Sequence, residues 1–305
     1  MVLIGVGVLF VVSLLLLVAL LVLLERKVLG LAQLRKGPNI VGIYGILQTV
    51  VDGVKLLTKE MVLVTNDRFV FFYVSPFLLF SLATMGWFFM PGMGGGEGGG
   101  MTILVILYIS SMGVYGVLWA GWGSGSVYSL MGGVRAVAQM ISYEIVMALF
   151  ILLLVYFSGS LDWEGLGEYY GVGGVGATLW LVVVVIWGGI VLAELNRVPF
   201  DLVEGESELV GGYNVEYSGY GFTLFFLAEY MNIWLLCWLS LVLFGGWNSL
   251  WMLVVAVVGV VYVRGLLPRY KFTDLIGLTW RIYLPIVLFG CMMMLLADAM
   301  CWGEV

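Results

Sequence analysis

Histidine is missing from the 305 residues, and the three cysteines, Cys237, Cys291 and Cys301, stand apart in apolar stretches without CxxC spacing. These absences remove the ordinary protein ligands of haem iron, zinc and iron–sulfur clusters. Any electron transfer that this chain serves must run on centres held elsewhere. The cysteines read as small apolar helix residues rather than disulfide partners. Charge is scarce as well: 10% of residues are charged and 63% are hydrophobic, against about 25% and about 45–50% in soluble domains. A water-soluble globule is excluded, because the apolar residues come in long unbroken runs that suit a bilayer.

Those runs fall at about 2–24, 69–90, 101–121, 136–157, 176–195, 221–244, 247–266 and 282–302. The expected fold is all-α, one integral membrane domain over residues 1–305 with eight transmembrane helices. The first run is long enough to span, about 35 Å at 1.5 Å per residue against a hydrocarbon core of ~30 Å. It has no basic leading region and no small-residue cleavage site, so it reads as a retained helix rather than a signal peptide. Between 42 and 60, apolar Ile43, Ile46, Leu47, Val50, Val54 and Leu57 recur at three- and four-residue spacing, with Gln48, Asp52, Lys55 and Lys59 on other faces. That pattern predicts an amphipathic interfacial helix. Gly, Val, Leu, Trp and Phe abound while Lys, Gln and Pro are few, and codons rich in G and T would produce that bias, as in an organelle genome.

The bases set the topology. With eight spans, all 13 Lys and Arg fall on one side of the membrane. The other side carries Glu97, Asp162, Glu164, Glu168, Asp298 and Glu304 and no base. Basic loops stay inside, so both termini are expected outside. The outside loops are plain: Pro91 to Gly100 is a flexible glycine linker by composition, and 158–175 is glycine-rich and mildly acidic. No internal repeat points to an inverted-repeat transporter.

Three carboxylates break the apolar runs: Glu144, Glu194 and Glu229. An ionisable group at mid-bilayer costs ~2.5–3.5 kcal/mol on insertion scales and usually marks an ion or proton route. Counting from the inner ends of their spans, Glu144 and Glu229 lie about 12–13 Å deep and Glu194 lies nearer the surface. The loop 196–220 adds Asp201, Glu204, Glu206, Glu208 and Glu216 with one base, Arg197. A proton relay is the sharper reading of this stepped row, and helix-to-helix hydrogen bonding is the plainer one. For the loop, a proton or cation antenna competes with a merely solvated acidic segment. Glu25, Arg26, Arg35, Lys36, Arg197 and Arg269 form a mixed-charge rim, either ordinary membrane anchors or the polar end of a cavity that meets a soluble partner.

The blocks ERKVLGLAQLRKGPN (25–39), DGVKLLTKE (52–60), VRAVAQMISYE (134–144), AELNRVPFDLVEGESELVGGYNVEY (193–217), FFLAEYMNI (225–233) and PRYKFTDL (268–275) resemble the subunit 1 family of mitochondrial NADH:ubiquinone oxidoreductase, respiratory complex I. Ile43 and Met61 stand where that family commonly has proline. The resemblance implies a core membrane subunit of a proton-pumping enzyme in the mitochondrial inner membrane, with both termini facing the intermembrane space. It implies ubiquinone as substrate, with NAD, FMN and iron–sulfur clusters only on partner subunits. Expected partners are the soluble quinone-site subunits, neighbouring membrane-arm subunits and lipid; no nucleic acid and no metal are expected. Glu25, Arg26, Arg35, Arg135, Arg197, Asp201, Phe226 and Arg269 match positions of a quinone chamber. Glu144, Glu194, Glu204 and Glu229 match an acidic proton pathway, beside the acidic-loop residues Glu206, Glu208 and Glu216. Two alternatives remain at this stage. One is a membrane subunit of a hydrogenase-type complex, and the other is a stand-alone ion transporter.

Overall fold

The computed structural model describes residues 2–60, 69–90, 101–161, 166, 177–201, 212–244 and 250–302. Among these residues the architecture is helical, without a strand. The helices are α1 (Val2–Ala32), α2 (Gln48–Thr58), α3 (Phe69–Phe88), α4 (Thr102–Gly123), α5 (Val127–Ser158), α6 (Ala177–Glu194), α7 (Gly219–Phe244), α8 (Leu250–Leu266), α9 (Phe272–Leu278) and α10 (Leu284–Trp302). A π-helical turn, Thr279–Tyr283, runs α9 into α10. Among the described residues, six stretches are long and apolar enough to cross a bilayer: Gly5–Ala32, Val70–Phe88, Thr102–Gly123, Val127–Tyr156, Gly219–Phe244 and Phe272–Met293. Val183–Glu194 and Trp251–Leu266 are apolar but shorter.

Several boundaries differ from the sequence pattern, each for a local reason. Helix α1 continues through the charged Glu25-Arg26-Lys27 to Ala32, because Glu25 finds partners inside the protein. Helix α5 starts at Val127 rather than near 136: the Ser126 side chain caps it by accepting from the Ser129 N–H at 3.3 Å. Such a cap satisfies one of the unpaired N–H groups of a helix start, and Gly125 reaches it at φ 70. The last helical stretch begins at Phe272, ten residues before the apolar run that marked it. Of the expected 42–60 helix, only Gln48–Thr58 is α-helical, and its Val50, Val54 and Leu57 stay uncovered by the rest of the chain.

Lipid chains are as apolar as leucine, so helix association in a membrane rests on close packing and polar contacts. Glycine supplies that closeness where α3, α4 and α5 meet. A Cβ on Gly123 would stand 2.6 Å from the Phe72 backbone nitrogen. Gly121 and Gly133 face each other across α4 and α5, a Cβ on Gly121 coming within 3.2 Å of the Gly133 Cα. The main core gathers Leu21, Ile103, Ile151, Leu154, Trp187 and Met231. A second cluster, with Phe72, Val117, Tyr213, Tyr217 and Phe225, backs the charged region between α5, α6 and α7.

Candidate functional site: a mixed-charge cavity at the end of α6

The site is built on how α6 stops. Asn196 takes a left-handed conformation, φ 49, and its N–H donates to the Ala193 carbonyl at 3.2 Å while the Arg197 N–H donates to the Leu192 carbonyl at 3.3 Å. This paired closure satisfies the last carbonyls of a helix, and asparagine is the residue after glycine that best tolerates the left-handed position. The turn therefore sends Glu194, Asn196, Arg197 and Asp201 off one helix end in fixed directions. Gln139 of α5, fully buried, donates from Nε2 to the carbonyls of Ala193 at 3.1 Å and Phe200 at 2.9 Å.

Beside this turn lies a cavity of about 480 Å³. Its charged lining is Glu194, Arg197, Asp201 and Glu229, and its aromatic lining includes Tyr213, Tyr217 and Phe226. The Tyr213 hydroxyl donates to Glu229 Oε1 at 2.9 Å. Glu194 Oε2, Asn196 Oδ1 and Asn214 Oδ1 are buried without a hydrogen-bond partner, and all three residues line the same space. Unsatisfied buried acceptors cost ~1–3 kcal/mol each, and a polar cavity of this size has room for several waters to meet them. A narrower apolar crevice of about 100 Å³ shares Leu79, Met140, Glu194 and Asn232 with it and continues among α3, α4, α5 and α7. Glu194 thus stands where a polar space meets an apolar one. Tyr217, just before α7, stacks on Phe72 with ring centroids 4.1 Å apart. Burial lifts its phenol to about 12, against the opposing hydrogen bond with Ser75, so it stays neutral at physiological pH.

The profile of the family described as NADH dehydrogenase matches residues 6–295. The chain belongs to the NADH dehydrogenase family. Its relatives include proteins named NADH-ubiquinone oxidoreductase chain 1 from distant organisms. The one from Strongylocentrotus purpuratus is 44% identical over 289 residues, covering 91% of this chain and 89% of the relative. Those from Emballonura alecto and Cyanidium caldarium are each 40% identical, covering 93% and 92% of this chain and 93% and 86% of their own lengths.

Of the residues expected at a site, Arg197, Asp201, Phe226, Glu194 and Glu229 come together in the cavity. Arg269, largely exposed, reaches Asp201, whose side chain is fully buried, at 3.9 Å. Glu25 lies behind the cavity rather than on it. Its Oε1 accepts from Arg197 Nη1 at 3.2 Å and from Arg264 Nη1, and its Oε2 accepts from the Tyr230 hydroxyl at 2.6 Å. The Arg197 guanidinium also sits 4.5 Å from the Tyr230 ring centroid. Tyr230 in turn packs 4.4 Å from Phe226, so this knot backs the cavity wall.

Besides Glu25 and Arg269, three further expected chamber residues lie off this cavity. Arg26 pairs with Asp52 of α2 at 2.6 Å, Arg35 is exposed and donates to Gln33, and Arg135 lies against the Phe272 ring at 5.9 Å. Glu144 is half-buried on α5 and does not line the cavity. Glu216 stays partly exposed at the start of the α7 approach. Glu204, Glu206 and Glu208 lie outside the described residues. Gln139, Tyr213, Tyr230 and Arg264 take part in the site or its support without standing out in the sequence. Among the described residues, no three carboxylate or thiol groups converge as a metal-ligand set.

Proposed function

We propose that this chain is a core membrane subunit of a proton-pumping NADH:ubiquinone oxidoreductase, forming one end of a quinone chamber and linking quinone reduction to proton movement. The relatives' shared name supports the enzyme, and one observation carries the site: a single cavity gathers Arg197, Asp201, Phe226, Glu194 and Glu229. The aromatic wall suits a planar ring, and Arg197 and Asp201 suit its polar oxygens. Reduction of the quinone draws in protons with the electrons. The resulting change of charge acts first on Asp201 and the acidic loop (Glu204, Glu206, Glu208, Glu216). Glu194, Glu144 and Glu229 then pass it along the membrane. Electrons arrive from NADH, FMN and iron–sulfur clusters on partner subunits.

On this reading the chain crosses the mitochondrial inner membrane eight times, with the two shorter apolar helices also spanning and both termini in the intermembrane space. Helix α2 lies at the interface. Its uncovered Val50, Val54 and Leu57 face lipid, and its Asp52 is tied to Arg26. Arg35, Arg135 and Arg269, exposed at the basic side, meet soluble quinone-site partners.

The test is replacement of Glu194 or Glu229 by Gln in the intact complex. The expected outcome is normal assembly with proton-coupled quinone turnover lowered ~100-fold or more, the usual range for losing a proton-transfer group. Wild-type proton translocation per quinone in both variants rejects the coupling role.

A further inference from the structure

We propose that Gln139 is a positioning residue that holds the cavity wall in register with Glu144. The inference rests on the functional reading above, since it concerns the residues given to quinone and protons there. Gln139 touches nothing in the cavity. It stands on α5 with no exposed surface, and its Nε2 bridges carbonyls 54 and 61 positions away, those of Ala193 and Phe200. These two carbonyls bracket the turn that carries Glu194, Asn196 and Arg197, and Asp201 follows directly.

The orientation of the amide is forced. Both partners are acceptors, so the nitrogen must face them, and Oε1 is left buried without a partner. A buried polar atom is left unsatisfied here so that two hydrogens of one amide can pin both ends of one turn. The turn is held on another side by the Tyr270 N–H, which donates to the Pro199 carbonyl at 3.0 Å. One helical turn along α5, Tyr143 is equally buried, donates to the Leu275 carbonyl at 3.3 Å and lies 5.9 Å from the Phe200 ring. Glu144 is the next residue. Residues four apart share a helix face, so Gln139 and Tyr143 dock the same stripe of α5 on the turn and on α9. Glu144 adjoins this docked stripe and Glu194 adjoins the pinned Ala193 carbonyl, so the docking sets the spacing between them.

Two variants of similar size separate a hydrogen-bonding brace from mere filling. Gln139→Met keeps the volume and removes both donors. In the assembled complex it should leave NADH oxidation by a water-soluble artificial acceptor intact while quinone turnover falls several-fold and the KM for quinone rises. Gln139→Glu sets a carboxylate against two carbonyls and regains one donor only when protonated. Its quinone turnover should be low at alkaline pH and recover as the pH falls, a recovery that Gln139→Met lacks. Wild-type kcat and KM in Gln139→Met, or a Gln139→Glu profile that is flat or never recovers, overturns the brace. A parallel loss of the artificial-acceptor reaction makes Gln139 a folding residue and overturns it too. Glu194→Gln, measured alongside, separates the two ideas. If it is normal while Gln139→Met is impaired, the coupling reading falls and the brace stands. The reverse pattern removes the brace alone.

Discussion

Glu25 and Glu194 are both carboxylates in apolar helices, yet the protein treats them oppositely. Glu25 is enclosed by two arginines and a tyrosine drawn from three other parts of the chain. Glu194 keeps a buried oxygen with no partner at the edge of a cavity. A buried charge that is paired and hydrogen-bonded is a structural element, costly to break. An acid with an unpartnered oxygen beside a polar space is instead open to water or a ligand. An intramembrane acid is therefore a site candidate only after its partners are counted.

The contrast breaks most readily at the Glu25 end. Arg197→Met leaves a buried carboxylate short of a counter-charge and should cost about 3–5 kcal/mol. The amount of chain retained in the complex and its thermal midpoint read that loss, and an unaltered midpoint would mean that the knot contributes nothing. Tyr230→Phe keeps the ring between Arg197 and Phe226 and removes one hydrogen bond to a charged group. It should cost about 1.5–3 kcal/mol, again read as a lowered midpoint. The smallest effect is the most telling: Glu194→Gln should leave stability within about 1 kcal/mol of the parent, since no partnered oxygen is lost from Oε2. A large destabilisation there would make Glu194 a second Glu25 and erase the distinction.

Much of this was legible in the sequence. Apolar runs marked the helices, and the block 193–217 named most of the cavity's charged wall in advance. Phe226 and Glu229 joined that wall from a second block. The sequence blurred boundaries where charge or glycine interrupts a helix that structure continues. Glu25-Arg26-Lys27 reads as the end of a span, whereas Arg197, Arg264 and Tyr230 allow α1 to run on. The start of α5 was signalled by Ser126 as a cap after Gly125, a pattern hidden by the glycines and Arg135 that follow. Support residues were the hardest to see. Gln139 meets its carbonyls across 54 and 61 positions, and Arg264 meets Glu25 across 239. Nothing local in either residue's neighbourhood announces such a partner.

Helix α5 is an uninterrupted rod of 32 residues, about 48 Å long. It meets α4 at the glycine pair Gly121 and Gly133, where backbone meets backbone. A contact of this kind fixes where the two helices cross, because any side chain larger than hydrogen would press them apart. Gln139 lies about 9 Å and Glu144 about 16 Å along α5 from that crossing, so the place of both is measured from a point where no side chain intervenes.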